Sequence, residues 1–403
     1  MPDLKSAQRI GIMGGSFNPI HYGHLTAAED ARCKLNLDFV LFIPTGIPPH
    51  KGKITYMEHR YLMTMLATHD NPYFYVSRME LDRSTSQNGP TYTVDTLRIL
   101  KDMTDAELFF ILGADEMLQI STWKDSDQLP SLSNWVAVTR PGYDMKGHCQ
   151  GEVLEIPGLA ISGTELRDRV TKNEPIKYLV HPGVKRYIKD LNLYQENAVQ
   201  ENATQEEMLN FESLHQAVAD KLSEKRYRHT LGVIETAVIL AYLHNVNLKK
   251  AYLAALLHDY AKEFSEEEKR SLCKEFAITL DTVQNQNIGL MHGQLGSEFA
   301  GRIFGIDDTE ILEAIRHHTT GRAGMGKLEQ IIKIADNTEP NRENYPRLEA
   351  IRAMSVSNIE MATIAAIRRD IQYTKEKGHN IHPMGMEALE YLIKQLEAAT
   401  KER

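Results

Sequence analysis

Positive charge is scarce in this chain: its 403 residues carry 46 Lys and Arg against 55 Asp and Glu, a formal net charge of −9. A nucleic-acid backbone needs a basic face, so this balance speaks against a nucleic-acid binder, although local basic residues can still hold small phosphates. Cysteine is scarcer still. Cys33, Cys149 and Cys273 are odd in number and share no metal-type spacing. That pattern speaks against a disulfide framework and suggests a reducing, cytoplasmic compartment. No segment approaches the ~18 consecutive apolar residues of a membrane span, and the opening MPDLKSAQRI has no apolar h-region. Neither membrane insertion nor secretion is expected. Internal repeats and low-complexity tracts are also lacking.

What is present is a globular composition, 42% hydrophobic and 25% charged, on a chain long enough for roughly two domains. Strand-like runs fall at Ile10–Met13, Phe39–Ile43, Phe74–Val76, Leu108–Leu112 and Val136–Thr139, with helical stretches such as Glu58–Ala67 and Thr93–Lys101 between them. This alternation predicts an α/β domain, a doubly wound parallel sheet with right-handed crossovers. Ligands of such sheets bind outside the carboxyl ends of the strands. GGSFNP, GAD (113–115) and RPG (140–142) follow the first, fourth and fifth strands there. From Tyr194 the text turns polar (YQENAVQENATQEE) and reads as a linker. Beyond it no strand is expected. Leu231, Ile234, Val238, Ala241 and Tyr242 keep helical spacing, as do Ile311, Leu312, Ile315 and His318. The expected organisation is an α/β domain over 1–193, a linker over 194–207 and an all-α domain over 208–403.

The segment RIGIMGGSFNPIHYGHL (9–25) reads as a strand, a glycine turn and a helix start. There, backbone N–H groups and the helix dipole hold phosphate. His21 and His24 share one face of that start. Two imidazoles so placed suit a triphosphate attacked at its α-phosphorus, donating where charge builds and needing no covalent intermediate. A second helix start, ISGTELR (161–167), offers Ser162 as N-cap, Glu165 at the capping-box position, Thr164, and Arg167 for phosphate.

Together GGSFNPIHYGH and ISGTELR resemble the nucleotidyltransferase superfamily, most closely bacterial nicotinate-nucleotide adenylyltransferase. IPPHK (47–51), GPTYTVDTL (89–97), LGADE (112–116), Trp123 and TRPG (139–142) support the likeness over residues 9–193. Class I aminoacyl-tRNA synthetases share HxGH but pair it with a lysine-rich KMSKS loop, absent here. Pantetheine-phosphate adenylyltransferases share the first motif but lack the later set. One departure is Gly163, where the family usually has serine. The resemblance implies a Rossmann-like domain transferring AMP from ATP to nicotinate mononucleotide, with magnesium shielding the triphosphate. It places Gly14, Gly15, Ser16, Phe17, His21, His24, Lys51, Asp115, Ser162, Thr164 and Arg167 on ATP and its phosphates. Thr91, Tyr92, Trp123 and Arg140 go to the nicotinate nucleotide.

The second half carries His229, the adjacent pair His258-Asp259, His292, the pair His317/His318 and Asp336. The intervals are long enough to put each on its own helix. His258-Asp259 lies in the apolar run AYLAALLHDYAKEF, and burying such a pair is costly unless something neutralises it. A metal ion does so, and six such groups fit metal ligation better than satisfied core residues. His215 and His244 read as structural residues on helix surfaces, and His379 and His382 as loop residues for which a metal role is the less favoured alternative.

RYRHTLGV, LLHDYAK, MHG, HHTTGR and IADNTEP resemble the HD-domain metallophosphohydrolases. HHTTGR with HDYAK is similar to the HD-type symmetrical diadenosine tetraphosphate hydrolases, over about residues 211–393. Either His317 or His318 could be the ligand, and alignment to that motif favours His318. Asp259, with two oxygens, is suited to bridging. That puts His229, His258, Asp259 and Asp336 on one metal and Asp259, His292 and His318 on the other, with hydroxide between. The resemblance implies iron; the donor set alone also accepts manganese or zinc. Lys262 and Arg322 are candidates to neutralise polyphosphate, and Lys262 to act at the reacting centre beside Asp259. The expected partners are ATP, nicotinate mononucleotide and diadenosine tetraphosphate, with no nucleic acid or membrane; a homo-oligomer is compatible with the sequence. Two other readings of the helical domain stay open: an HD hydrolase of nucleoside triphosphates or cyclic dinucleotides, and a non-hydrolytic nucleotide-binding regulator.

Overall fold

A computed structural model describes residues 3–49, 54–139, 151–157, 160–195 and 210–401. Lys51, Arg140, the RPG segment, Cys149 and linker residues 196–207 lie outside the described residues. The chain divides into two compact units, Met1–Ala198 and Val199–Arg403.

The first unit is built on six parallel strands: β1 Arg9–Gly15, β2 Phe39–Pro44, β3 Phe74–Val76, β4 Glu107–Gly113, β5 Asn134–Thr139 and β6 Glu152–Glu155. Their order is β3-β2-β1-β4-β5-β6. β2 (FVLFIP) is buried along its whole length, as expected for a strand covered on both faces. The order reverses between β1 and β4, so a crevice opens at the carboxyl ends of those two strands. The predicted GGSFNP and GAD loops leave the sheet there. β6 was not anticipated. Its sequence EVLE buries only Leu154, too faint a pattern to separate from a loop.

Tyr194, read as the first linker residue, belongs instead to the first unit. Its carbonyl accepts from the Thr171 hydroxyl at 2.9 Å and its own hydroxyl donates to Asn18 Oδ1 at 2.8 Å. A polar sequence neighbourhood conceals these long-range contacts.

Among the described residues the second unit is wholly helical. The helix Leu248–Leu257 is its central element: Leu248 and every residue from Ala251 to Leu257 are buried. No helix among the described residues is long and apolar enough to cross a membrane.

Candidate functional sites

At the β1/β4 crevice lies a cavity of about 880 Å³. Gly14, Gly15, Ser16, Phe17, His21, His24, Asp115, Thr164 and Arg167 all line it, so three segments far apart in sequence meet there. The glycine loop is shaped by strain and by a buried cation. Phe17 holds a left-handed φ of 42°. Arg60, 1% exposed, donates to the carbonyls of Ser16 (2.8 Å), Gly46 (2.6 Å) and Thr55 (2.9 Å). Burial lowers the Arg60 pKa to about 10, which still leaves it charged near neutral pH.

His21 is the N-cap of the helix Tyr22–Lys34. Its ring stacks on His24 with centroids 3.8 Å apart. The His21 backbone N–H donates to His24 Nδ1 at 3.3 Å. That assigns the His24 hydrogen to Nε2, a donor for an anion. Burial pushes His21 down to about 4, so it is neutral at pH 7. Its Nδ1 is buried with no hydrogen-bond partner among the described residues.

Across the cavity the helix Gly163–Thr171 begins. Ser162 caps it, accepting from Glu165 N at 3.1 Å. Arg167 donates to Thr164 Oγ1 at 3.1 Å and to the Asn18 carbonyl at 2.7 Å, so the guanidinium joins the two motifs. A Cβ on Gly163 would lie 2.9 Å from that same carbonyl. The departure from serine therefore lets the helix start approach the loop closely.

A smaller pocket of about 340 Å³ shares Gly14, Gly15, Ser16 and Glu116 with the first cavity. Thr91, Tyr92 and Trp123 line it as anticipated. Trp123 also packs edge-on against Phe110, centroids 6.1 Å apart, so it serves the core as well. Two further residues went unforeseen. Glu80 is buried and accepts from Thr91 (2.8 Å) and Thr96 (2.6 Å); burial raises its pKa against the effect of those bonds. Lys124 lies over the Tyr92 ring at 4.5 Å and brings a positive charge to the pocket.

In the second unit the six anticipated groups converge. Asp259 Oδ1 is 3.2 Å from His292 Nε2 and 3.7 Å from His318 Nε2. Asp259 Oδ2 is 3.5 Å from His258 Nε2 and 3.8 Å from His229 Nε2, and His229 Nε2 is 3.1 Å from Asp336 Oδ1. His258-Asp259 is not inside a helix, as the sequence suggested. His258 is the C-cap of Leu248–Leu257, His318 that of Thr309–His317, and His292 opens His292–Arg302. Adjacent residues on a helix diverge by about 100°, whereas a helix end can turn both inward. His317 points away, 3.3 Å from Glu313.

Every histidine of the cluster presents Nε2 inward because Nδ1 is engaged. The Nδ1 atoms of His258, His292 and His318 donate to the carbonyls of Ala255 (2.7 Å), Gly289 (2.6 Å) and Ile315 (2.7 Å). His229 Nδ1 faces Glu339 at 3.1 Å. This leaves two Nε2 lone pairs facing each other at 3.0 Å between His292 and His318, and a buried, unpartnered Nε2 on His258. The two nitrogens repel except where the Thr319 hydroxyl, 3.2 and 3.1 Å from them, or Lys262 Nζ, 3.2 Å from His292, donates to one. A cation between them removes the conflict, so the donor set fits metal ions. Two groups of three donors, His229/His258/Asp336 and His258/Asp259/His318, each lie within 4.8 Å of one another. Burial holds His258 and His292 down to about 4, unprotonated as ligation requires. Burial opposes charge on His229 too, yet hydrogen bonds to Asp336 and Glu339 outweigh it and raise its pKa to about 9.

The remaining predicted groups fall unevenly. Lys262 Nζ lies 3.2 Å from His292 Nε2, at the cluster. Arg322 is engaged by Glu329 at 2.7 Å and Glu313 at 3.6 Å. His215 is buried rather than on a surface, bonded to the hydroxyls of Tyr227 (2.8 Å) and Tyr252. His244 bonds the Ser355 carbonyl, and His382 pairs with Asp281 at 2.8 Å.

A cytidylyltransferase-like family profile matches residues 12–169, and an HD domain profile matches residues 226–341. A "Probable nicotinate-nucleotide adenylyltransferase" of Leifsonia xyli subsp. xyli is 52% identical over 199 residues, 48% of this chain and 98% of that relative. The chain belongs to the nicotinate-nucleotide adenylyltransferase family. A relative of the same description from Thermoanaerobacter sp. is 46% identical over 207 residues, 47% of this chain and 95% of its own length. Among solved structures, a "predicted HD superfamily hydrolase involved in NAD metabolism" from Clostridium acetobutylicum is 36% identical, with 46% of this chain and 98% of that chain covered at a TM-score of 0.45. The adenylyltransferase unit is thus followed by a helical HD domain.

In this adenylyltransferase-HD chain Arg60 and Glu339 likewise were not anticipated. Arg60 sits in the helix Met57–Thr68, which is buried on nearly every side, and an arginine there carries no local signal of burial. Glu339 sits three residues after Asp336, a spacing that shares a helix face and is the signal that could have found it.

Proposed function

We propose that the chain carries two activities. The first unit joins ATP and nicotinate mononucleotide into nicotinate adenine dinucleotide, releasing pyrophosphate. The HD domain hydrolyses diadenosine tetraphosphate symmetrically to two ADP. For the first, the supporting observation is the junction of His24, Arg167 and the Gly14-Gly15 turn around one cavity, with the Thr91/Tyr92/Trp123 pocket opening from it. Family membership supplies the acceptor nucleotide. A phosphate oxygen of nicotinate mononucleotide attacks the α-phosphorus of ATP as the bond to pyrophosphate breaks. His24 Nε2–H, the Thr164 hydroxyl, the Arg167 guanidinium and, outside the described residues, Lys51 donate to the oxygens that gain charge. His21 orders the helix start. Ser162 holds the second helix start in place. Asp115 is assigned to the adenosine side or to water on magnesium, which accompanies the triphosphate as its counter-ion. Lys124 offers the cation that the nicotinate carboxylate needs, alongside Tyr92 and, outside the described residues, Arg140.

For the HD domain the supporting observation is Asp259, whose two oxygens face two separate sets of imidazoles. His229, His258, Asp259 and Asp336 would hold one metal ion and Asp259, His292 and His318 the other, iron by family likeness. When bound, such a pair supplies a hydroxide at neutral pH and a Lewis acid for a phosphate oxygen. Lys262 stands at the cluster to neutralise the leaving phosphate. Attack near the middle of a tetraphosphate gives two ADP.

Chromatography of products tests both. ATP with nicotinate mononucleotide should give nicotinate adenine dinucleotide, faster than with the amide nucleotide. Diadenosine tetraphosphate should give ADP alone; ATP plus AMP, or no cleavage by metal-loaded protein, would overturn the second activity.

A further inference from the structure

The HD cluster adjoins a second cavity of about 1170 Å³, to which His229 and Glu339 both contribute. Six arginines line it: Arg226, Arg228, Arg342, Arg347, Arg368 and Arg369. In a chain of net charge −9 that concentration is local. Its inner end touches the cluster directly. Arg226 pairs with Asp259 Oδ2 at 2.9 Å, and Arg342 lies 3.9 Å from Asp336 Oδ1. Farther out, Arg347 and Arg368 have no carboxylate partner among the described residues. Arg347 also holds a left-handed φ of 74°, a conformation costly for a residue with a Cβ and commoner at functional sites than elsewhere. Of the four carboxylates that line it, Glu263 binds Ser223, Glu339 binds His229, Glu343 lies 3.9 Å from Lys225 and Glu376 accepts from Gln372 at 2.8 Å.

The far wall differs in chemistry. Arg369 stacks over Tyr345 (4.3 Å) and Tyr373 (5.2 Å), and Ile351 and Met354 supply apolar surface beside them. Guanidinium forks read phosphate oxygens, and flat faces next to apolar side chains suit a nucleobase. Pockets for small ligands span about 300–1000 Å³, and this groove lies above that range, with room for more than one mononucleotide.

We propose that the groove seats the half of a dinucleoside polyphosphate remote from the attacked phosphorus. The arginines take the phosphate chain as it leaves the metal cluster, and the Tyr345/Tyr373 wall receives the far base. This rests on the HD cluster being the phosphohydrolase centre, and it makes a substrate with a nucleoside at each end the preferred class.

Calorimetric titration of the metal-free full-length chain with diadenosine tetraphosphate and with AMP tests the assignment. The dinucleotide should bind at least about tenfold more tightly than AMP. The exposed double substitution Arg347→Ala/Arg368→Ala should abolish that advantage, with metal content after reloading equal to the parent's. No advantage in the parent chain, or an advantage that survives the substitution, would overturn the proposal. So would equal binding of a single-stranded oligonucleotide, which would make the arginines a general polyanion surface. Arginine-dependent binding without cleavage by metal-loaded protein would uphold the groove and remove only the hydrolase reading.

Discussion

The Tyr194 hydroxyl donates to Asn18 Oδ1 at 2.8 Å, tying the end of the first unit to its phosphate loop. Asn18 also offers its carbonyl to Arg167 at 2.7 Å, so one residue connects the loop, the second helix start and Tyr194. Tyr194→Phe removes the hydroxyl alone. One net hydrogen bond is worth about 0.5–1.5 kcal/mol, so adenylyl transfer should fall roughly three- to tenfold, with phosphohydrolysis unaltered. Steady-state rates for both reactions on the full chain check this; full adenylyl transfer would mean the loop holds its shape without Tyr194.

His24→Ala removes the Nε2–H donor while leaving the fold of the HD domain alone. The loss should be about 10²–10³ in the rate of adenylyl transfer. A matching loss in phosphohydrolysis would indicate unfolding instead.

His21 makes stability depend on pH. Its folded pKa is depressed by burial from 6.5 to about 4. The unfolded chain therefore takes up a proton below pH 6.5 that the folded chain refuses until about pH 4. The stability it confers is present above pH 6.5 and is lost as pH falls through that window, by about 2 kcal/mol at pH 5. Melting of the parent and of His21→Asn at pH 7 and pH 5 measures it. The parent should lose more of its melting temperature than the variant; equal losses would place the His21 proton elsewhere.

Glu339 holds His229 Nδ1 at 3.1 Å, and a Cβ on Gly232 would clash with Glu339 Oε2. Alanine in a helix normally gains about 1 kcal/mol over glycine. Here Gly232→Ala should displace Glu339 and weaken metal binding by about 10–100-fold, as should Glu339→Gln to a smaller extent. Competition with a chelator, read as bound metal per chain, gives the answer. Undiminished metal retention in both variants would show that Glu339 does not orient the ligand.

Asp259→Ala removes the group that faces both sets of histidines. Bound metal and phosphohydrolysis should vanish together while adenylyl transfer persists. Retention of one metal per chain would assign Asp259 to a single ion.

Much of this molecule was legible in one dimension because its signals are local. Five of six strands carry continuous apolar runs, and GGSFNPIHYGH or HDYAK needs only neighbours in sequence to declare a phosphate turn or a ligand pair. β6 was not legible, since EVLE buries a single side chain. The linker boundary misled for a related reason: Tyr194 owes its place to Asn18 and Thr171, both distant in sequence.

The sequence by itself determined the two-part organisation, the parallel sheet with its loops at one edge, and the identities of the clustered histidines and aspartates. Hydrophobic period, glycine turns and residue type suffice for those. Only the tertiary structure decided which nitrogen each histidine turns inward, that His318 and not His317 joins Asp259, and that Arg322 is spent on Glu329 while Arg226 and Arg342 stand at the cluster. Those outcomes depend on which carbonyls and carboxylates the fold brings within about 3 Å, the range over which a hydrogen bond forms. A side chain's chemistry is written in its type, but its partner is chosen by packing.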